Sequence, residues 1–391
     1  MDKVFLKKNR DKRIKSGHLW IFSNEIDRTS NHPENGDLVE VVNSNGQFMG
    51  IGFYNKHSLI AVRIITKSPE TDLYKILSDR FNSAFKFRKE LYPNRNSFRF
   101  LFSESDLVPG LIIDKYNDSF VLQVNSFGIH ENIHMVIEVL KNNFKAKNIF
   151  TKNDNYLRKL EGLPEEDEIY FGSPTAEIID DGSIKYRIDF AQSQKTGFYF
   201  DQSDNRFFIE RLVKEKTVAD IFCNCGGFGL HALKAGAAKV TFVDSSEREI
   251  ENVKFNLSLN KLHGETSFYA ADAFDFLNDE IKNEIKYDVV MVDPPAFAKS
   301  KKSIPTALKG YEKLNKLALQ VVRDGGYLVT SSCSYHIKKE DFLGSINKAA
   351  TKSHKTIQMI YFNGASLDHP VLPSMEETAY LKFAVFKVLS A

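Results

Sequence analysis

The stretch Asp37–Asn55, DLVEVVNSNGQFMGIGFYN, alternates apolar and polar side chains on either side of Asn45-Gly46. A period of two turns one face of a strand into a core, and Asn-Gly supplies the left-handed backbone of a tight turn. The pattern therefore predicts a β-hairpin. LIAVRIIT, Leu59–Thr66, predicts another strand, so residues 1–70 read as an all-β domain. The period then lengthens. DLYKILSDRFNSAFKFRKELY, Asp72–Tyr92, repeats apolar positions at helical spacing. FRFLFSESDLVPGLIIDKYNDSFVLQVNS, Phe98–Ser126, predicts two or three strands with turns at Pro109-Gly110 and Asn117-Asp118. With a helix over 130–145, residues 71–185 read as a small α+β domain.

From about residue 190 strands and helices alternate: TVADIFC, GLHALKAG, KVTFVD, SEREIENVKFNLSLN, TSFYAAD, YDVVMVD and GGYLVTSSC. Such alternation predicts a mostly parallel sheet covered on both faces over 186–391, with a ligand beyond the carboxyl ends of its strands. Acids fall at those ends. Asp220 lies in the first strand, Asp244 ends the second, Asp272 follows the third and Asp293 the fourth. A strand-end Asp is commonly only a helix cap. Four in successive turns point instead to a shared ligand, with Asp244 placed to bind ribose hydroxyls. Between Asp220 and Asp244 the turn Cys225-Gly226-Gly227-Phe228-Gly229 would let backbone approach that ligand closely. It is neither G-x-G-x-x-G nor a P-loop. DIFCNCGGFGLHA instead resembles the first motif of class I S-adenosylmethionine-dependent methyltransferases, whose sulfonium cofactor suits acids better than a phosphate cradle.

Two stretches carry candidate chemistry. In VDPPAFAKSKK, Asp293 faces cofactor and substrate together, Pro294 and Pro295 stiffen the loop, Phe297 offers a face to a base, and Lys299, Lys301 and Lys302 can meet phosphates. In TSSCSYH, Cys333 sits just past an apolar strand that should neighbour the strand ending at Asp293. Carbon 5 of a pyrimidine is a poor nucleophile. A thiolate adding to carbon 6, with an acid near N3, makes it enamine-like, and Cys with Asp is the pairing this requires. Cys223 and Cys225 read as small packing residues, and no metal site is expected.

Composition narrows the class. The chain has 391 residues, 42% of them hydrophobic and 27% charged, as in soluble globular proteins, and three cysteines, too few for a disulfide framework. No apolar run approaches a membrane span of roughly 20 residues and no signal-peptide-like segment stands near Met1, so a cytoplasmic location is expected. The net charge of +2 hides an uneven distribution: seven of the first fifteen residues are Lys or Arg, which suits an anionic polymer.

At these residues the chain resembles, over essentially its whole length, the PUA-domain-containing class I S-adenosylmethionine-dependent 23S rRNA cytosine-5 methyltransferases. KSGHLWIFSNEI (Lys15–Ile26) is similar to their PUA opening, ESDLVPGLIIDKY (Glu104–Tyr116) to their middle-domain signature, and SQKTGFYFDQSDNR (Ser193–Arg206) to the segment that helps cover the cofactor. The resemblance implies an α/β protein: an N-terminal β-barrel-like PUA domain, a small α+β middle domain and a C-terminal Rossmann-like methyltransferase fold. It implies Cys333 and Asp293 as catalytic residues. S-adenosyl-L-methionine would be held by Phe198, Asp201, Asp220, Cys225, Gly226, Gly227, Asp244, Ser245, Asp272, Ala273 and Asp293. RNA would be held by Lys7, Arg10, Arg13, Lys15, His18, Trp20, Phe297, Lys299, Lys301 and Lys302. The expected partner is 23S rRNA or a large-subunit precursor, and a homodimer is compatible with the chain.

Many RNA cytosine-5 methyltransferases carry a second Cys where this chain has Ala296. Its absence leaves the base that removes the C5 proton unassigned. It also leaves open methylation of an exocyclic amine, since D-P-P with an aromatic occurs in such enzymes. A third alternative is an RNA-binding assembly factor that holds the cofactor without turnover.

Overall fold

The hairpin expected at Asn45-Gly46 forms between the antiparallel strands Leu38–Val42 and Phe48–Tyr54. Gly46 takes φ 79°, and Asn43 Oδ1 accepts the backbone N–H groups of Asn45 (2.9 Å) and Gln47 (3.0 Å). The computed structural model describes residues 1–191, 196–298 and 300–390. Its N-terminal sheet has six strands, in the order Trp20–Phe22, Ile60–Thr66, Phe48–Tyr54, Leu38–Val42, Asp2–Leu6, Ile26–Thr29. All neighbours run antiparallel except Asp2–Leu6 beside Leu38–Val42. The alternating positions Val39, Val41, Val62 and Ile64 meet Val4, Leu6 and Ile21 in its core. The reading as all-β omits one turn of helix, Lys12–Lys15, held by packing of its one buried residue, Ile14.

Five further strands form a second sheet, in the order Ile169–Phe171, Asn148–Thr151, Ser119–Val124, Leu111–Tyr116, Phe98–Phe102. The helix Leu73–Leu91 begins where Asp72 accepts the Lys75 N–H (3.0 Å), and it packs on this sheet through Leu77 and Phe81. Phe81, Phe98, Phe100 and Phe120 are at most 1% exposed. Each such ring contributes about 1.5–3 kcal/mol relative to leaving it in water. The expected helix over 130–145 is Ile133–Phe144, preceded by a separate turn Phe127–Glu131. All of this lies in one compact unit: Met1–Ile179, Ile188–Phe200 and Leu367–Thr378.

The second compact unit comprises Asp180–Arg187, Asp201–Ser366 and Ala379–Ala391. It is built on seven strands, here called first to seventh: Thr217–Ile221, Lys239–Asp244, Glu265–Ala270, Tyr287–Val292, Val322–Ser332, Lys355–Asn363 and Lys382–Ser390. Their spatial order is third, second, first, fourth, fifth, seventh, sixth. The first five are parallel, and the seventh runs antiparallel to the fifth and sixth. The near-continuous apolar strands Val218–Ile221 and Val289–Val292 are buried because helices cover both faces. This is the class I methyltransferase topology. Its strand order reverses between the first and fourth strands, the switch point at which sheets of this kind bind ligands.

Candidate active site at the strand ends

The turn after the first strand is shaped by backbone that few residues tolerate. Phe222, Asn224 and Gly226 adopt φ of 64°, 48° and 87°. For a bulky residue such as Phe222 the left-handed region costs about 1–3 kcal/mol, a strain that surrounding structure must enforce. Asp244, at the end of the second strand, helps to do so. Its Oδ2 accepts the Asn224 N–H (2.9 Å) and its Oδ1 the Ser246 N–H (3.0 Å). Asn256 donates from below to the Cys225 carbonyl (3.1 Å). A Cβ on Gly229 would fall 2.2 Å from Phe242, so a glycine there lets the helix Gly227–Lys234 lie directly on the second strand.

Asp220 is 1% exposed, and its Oδ2 accepts the Gly229 N–H (2.7 Å). Burial raises its carboxyl to about 7 even though that hydrogen bond pulls the other way. Cys223 and Cys225 are buried. Burial lifts the first well above its ordinary value and the second to about 12, so both stay protonated packing groups. Asp272 caps the helix Ala273–Lys282 through the Phe274 and Asp275 N–H groups (2.8 and 3.2 Å), all from Oδ1. Capping therefore leaves Oδ2 uncommitted to it. Ala273 is buried and Ser245 exposed.

Asp293 and Cys333 leave neighbouring parallel strands; with Val292 opposite Thr330, Asp293 comes level with Ser331, two residues before Cys333. The Ser331 hydroxyl donates to Asp293 Oδ1, and Gln202 Nε2 donates to Oδ2 (3.2 Å). Burial raises the Asp293 carboxyl to about 6, against the Ser331 hydrogen bond and with help from the nearby Asp201 charge. Cys333 is half-buried and not in a disulfide, with its sulfur 4.0 Å from the Pro294 carbonyl oxygen. The two loops are stitched together where the Ala298 N–H donates to Ser334 Oγ (3.2 Å). Asp201 Oδ2 accepts from the Tyr380 hydroxyl (2.5 Å), while its buried Oδ1 has no hydrogen-bond partner among the described residues.

Phe198 lies in the other compact unit, where its N–H donates to the Tyr116 hydroxyl (2.8 Å). That unit also holds the N-terminal basic residues. Arg10 and Arg13 line a cleft of about 460 Å³ with Phe22, Ser23, Asn24, Glu25 and Leu59. Arg13 pairs with Glu25 (2.9 Å) and its guanidinium sits 4.8 Å from the Phe22 ring centre. Lys7 donates to the Asn24 carbonyl (2.9 Å) and Lys15 pairs with Asp11 (2.5 Å), both at the surface. His18 and Trp20 face inward instead. His18 is 5% exposed and accepts the Trp20 N–H, and the Trp20 indole donates to Glu104 (2.9 Å). In the second unit, Phe297 packs on Tyr311 with ring centres 4.7 Å apart, and Lys301 and Lys302 stand exposed in the turn Lys301–Ser303. Lys299 and Ser193–Lys195 lie outside the described residues.

Sequence reasoning did not single out Gln202, Ser331, Tyr311 or Lys382. Ser331 stood within a quoted motif, but hydroxyls are too common to assign. Lys382 did carry a signal: a cation opening an apolar strand, KFAVFKVLS, whose interior lysine rarely enters fully buried.

A family described as a PUA-like domain matches residues 4–67, and one described as Conserved hypothetical protein 95 matches residues 199–340. The chain is similar to ribosomal RNA large subunit methyltransferase I of Aliivibrio fischeri (strain MJ11), 34% identical over 385 residues and 97% of each chain. It is also similar to the protein of that name from Tolumonas auensis, 34% identical over 393 residues and 99% of each chain. One solved structure, described as a methyltransferase complexed with SAH, matches with TM-score 0.85 at 19% identity, over 99% of this chain and 100% of that one. A second, described as a SAM-dependent methyltransferase from Streptococcus mutans, matches with TM-score 0.83 at 18% identity and the same coverage. At such identities these two speak for the fold.

Proposed function

This chain belongs to the ribosomal RNA large subunit methyltransferase I family, and from that premise we propose how its site works and on which atom. It is an S-adenosyl-L-methionine-dependent methyltransferase of large-subunit ribosomal RNA. Its product is 5-methylcytosine, formed through a covalent adduct at Cys333.

The residues fit the cofactor. Asp201 keeps a buried carboxylate oxygen without a hydrogen-bond partner among the described residues, and Asp220 and Asp293 are acids whose charge burial disfavours. A ligand carrying an ammonium and a sulfonium would satisfy Asp201 and Asp220, while Asp293 keeps the proton it gives to the base. Asp244 and Ser245 would hold ribose, Asp272 and Ala273 the adenine side, and Gly226, Gly227 and Cys225 would line the approach, with Phe198 assigned by resemblance alone. When bound, S-adenosyl-L-methionine supplies an electrophilic methyl group.

The Cys333 sulfur, 4.0 Å from the carbonyl oxygen of Pro294, which follows Asp293 at the end of the neighbouring strand, carries the proposal. The Cys333 thiolate adds to carbon 6 of the cytosine, forming a carbon–sulfur bond, while Asp293 gives a proton to N3. The electron pair thus pushed to carbon 5 takes the methyl group. Loss of the C5 proton to a water molecule then restores the double bond and expels the thiolate, and N3 returns its proton to Asp293. Arg10, Arg13, Lys301 and Lys302 would meet RNA phosphates, which position the substrate without reading its sequence. The test is to incubate the protein with large-subunit rRNA and methyl-labelled S-adenosylmethionine, then digest to nucleosides. Label in 5-methylcytidine supports the proposal. Label in N4-methylcytidine refutes it in favour of amine methylation, and no label favours an assembly factor.

A further inference from the structure

Lys382 opens the seventh strand and is 6% exposed. Burying an ammonium costs several kcal/mol unless the lost water is replaced, so its position calls for a reason. Its Nζ donates to the carbonyl oxygens of Ser334 (2.6 Å) and Tyr380 (2.8 Å). Both acceptors are neutral, so the charge is not cancelled by a carboxylate at these contacts. In the antiparallel register Lys382 stands opposite Ser332. The lysine thus grips one neighbour of Cys333 and faces the other. Tyr311 completes the clamp: Ser332 Oγ donates to its hydroxyl (2.9 Å), which is also 2.9 Å from Ser334 Oγ.

We propose that Lys382 is a positioning residue that fixes the Ser332–Ser334 turn and stabilises the thiolate form of Cys333 by its positive charge. This rests on Cys333 being the nucleophile. A thiol beside a buried cation ionises more readily, because the attraction acts in a poorly screening interior. Burial pushes Lys382 down to about 8, and a charge on Cys333 pulls it back up. The coupling is mutual, so a protonated Lys382 favours the thiolate by as much as the thiolate favours the ammonium. Other titratable groups near this strand exit, among the described residues, include Tyr311 on the helix Ile304–Val321, Asp293 after the fourth strand, and His336 against Tyr335 farther along the loop. Tyr311 is raised further by burial and by the Cys333 charge, so it stays neutral. Lys382, protonated below about 8, brings a positive charge to the turn.

The test uses the full-length protein. Alkylation of Cys333 by iodoacetamide is followed on its own peptide by mass spectrometry between about pH 5.5 and 9.5, in wild type, Lys382→Met and Lys382→Arg. The midpoint is expected to rise by about one unit in Lys382→Met, with methyl transfer down about tenfold and cofactor affinity changed less than about twofold. Lys382→Arg keeps the charge and should hold the midpoint within a few tenths of wild type. An unchanged midpoint in Lys382→Met overturns the proposal, as does a rise in Lys382→Arg equal to that in Lys382→Met. If Lys382→Met does not fold, as shown by lost cofactor binding, the arginine variant alone decides. The nucleophile reading fails separately, if Cys333→Ser keeps full activity, and the alkylation midpoints are unaffected by that result.

Discussion

Ser331 donates its hydroxyl to Oδ1 of Asp293 across two neighbouring strands, two residues before Cys333. The bond favours the ionised carboxylate and works against burial, which holds Asp293 at about 6. Ser331→Ala should therefore raise the Asp293 titration midpoint further, by up to about one unit for a hydrogen bond to a charged group. Carbon-13 NMR of labelled Asp side chains reads this directly, and a midpoint that stays or falls would show that the hydroxyl does not set it.

The carbon-5 mechanism makes a chemical prediction. RNA with 5-fluorocytosine at the target has no proton to lose, so methylated protein–RNA adduct should accumulate and survive a denaturing gel. Cys333→Ser should abolish both adduct and turnover, since a hydroxyl is a far weaker nucleophile than a thiolate near neutral pH. Asp293→Asn should keep RNA affinity and lose most of the adduct. An amine methyltransferase would give no adduct and an active Cys333→Ser variant.

Cofactor affinity should depend on pH with a defined sign. Asp220 sits at about 7, and a cationic ligand favours its ionised form. Binding should release protons, and affinity should fall about tenfold or more from pH 8 to 5.5. Calorimetry in buffers of differing ionisation enthalpy measures both. Asp244→Ala should weaken binding by about 1–3 kcal/mol, partly by freeing the Asn224 and Ser246 N–H groups it now holds.

His231 is fully buried between Asp181 (2.8 Å) and Glu210 (2.6 Å). Burial alone would lower its pKa, but the two carboxylate hydrogen bonds carry it above the ordinary histidine value of 6.5. A raised folded value contributes stability that is complete below the unfolded pKa and is lost as pH rises through the folded one. The stability gap between wild type and His231→Gln should therefore be largest near pH 6, about 3–5 kcal/mol, and shrink towards pH 9. Urea unfolding across that range checks it; a gap that widens with pH would contradict the assignment.

Lys301 and Lys302 are exposed and unburdened by a fixed packing role. Replacing both with Ala should flatten the log–log salt dependence of RNA binding by about 0.7 for each lost contact to a single strand. An unchanged slope would make this turn an ordinary solvated face.

The sequence by itself determined the elements and their order. Periods of two and of 3.6 reflect how side chains alternate on strands and helices, so the hairpin at Asn45-Gly46 and the alternating elements after residue 216 were legible. So were the acids at strand ends, because a parallel sheet must bring those ends to one edge. Tertiary structure alone decided how each group is tuned. The Ser331–Asp293 bond and the Lys382 clamp join residues far apart in the chain, and no local pattern encodes their distance. His18, Trp20 and Phe297 show the same limit from the other side. Their residue types suit RNA, yet packing against Glu104 and Tyr311 decides where the rings point. Burial and hydrogen bonding belong to the assembled fold, and they are what set the charge of Asp220 and Asp293 and the direction of every side chain in the site.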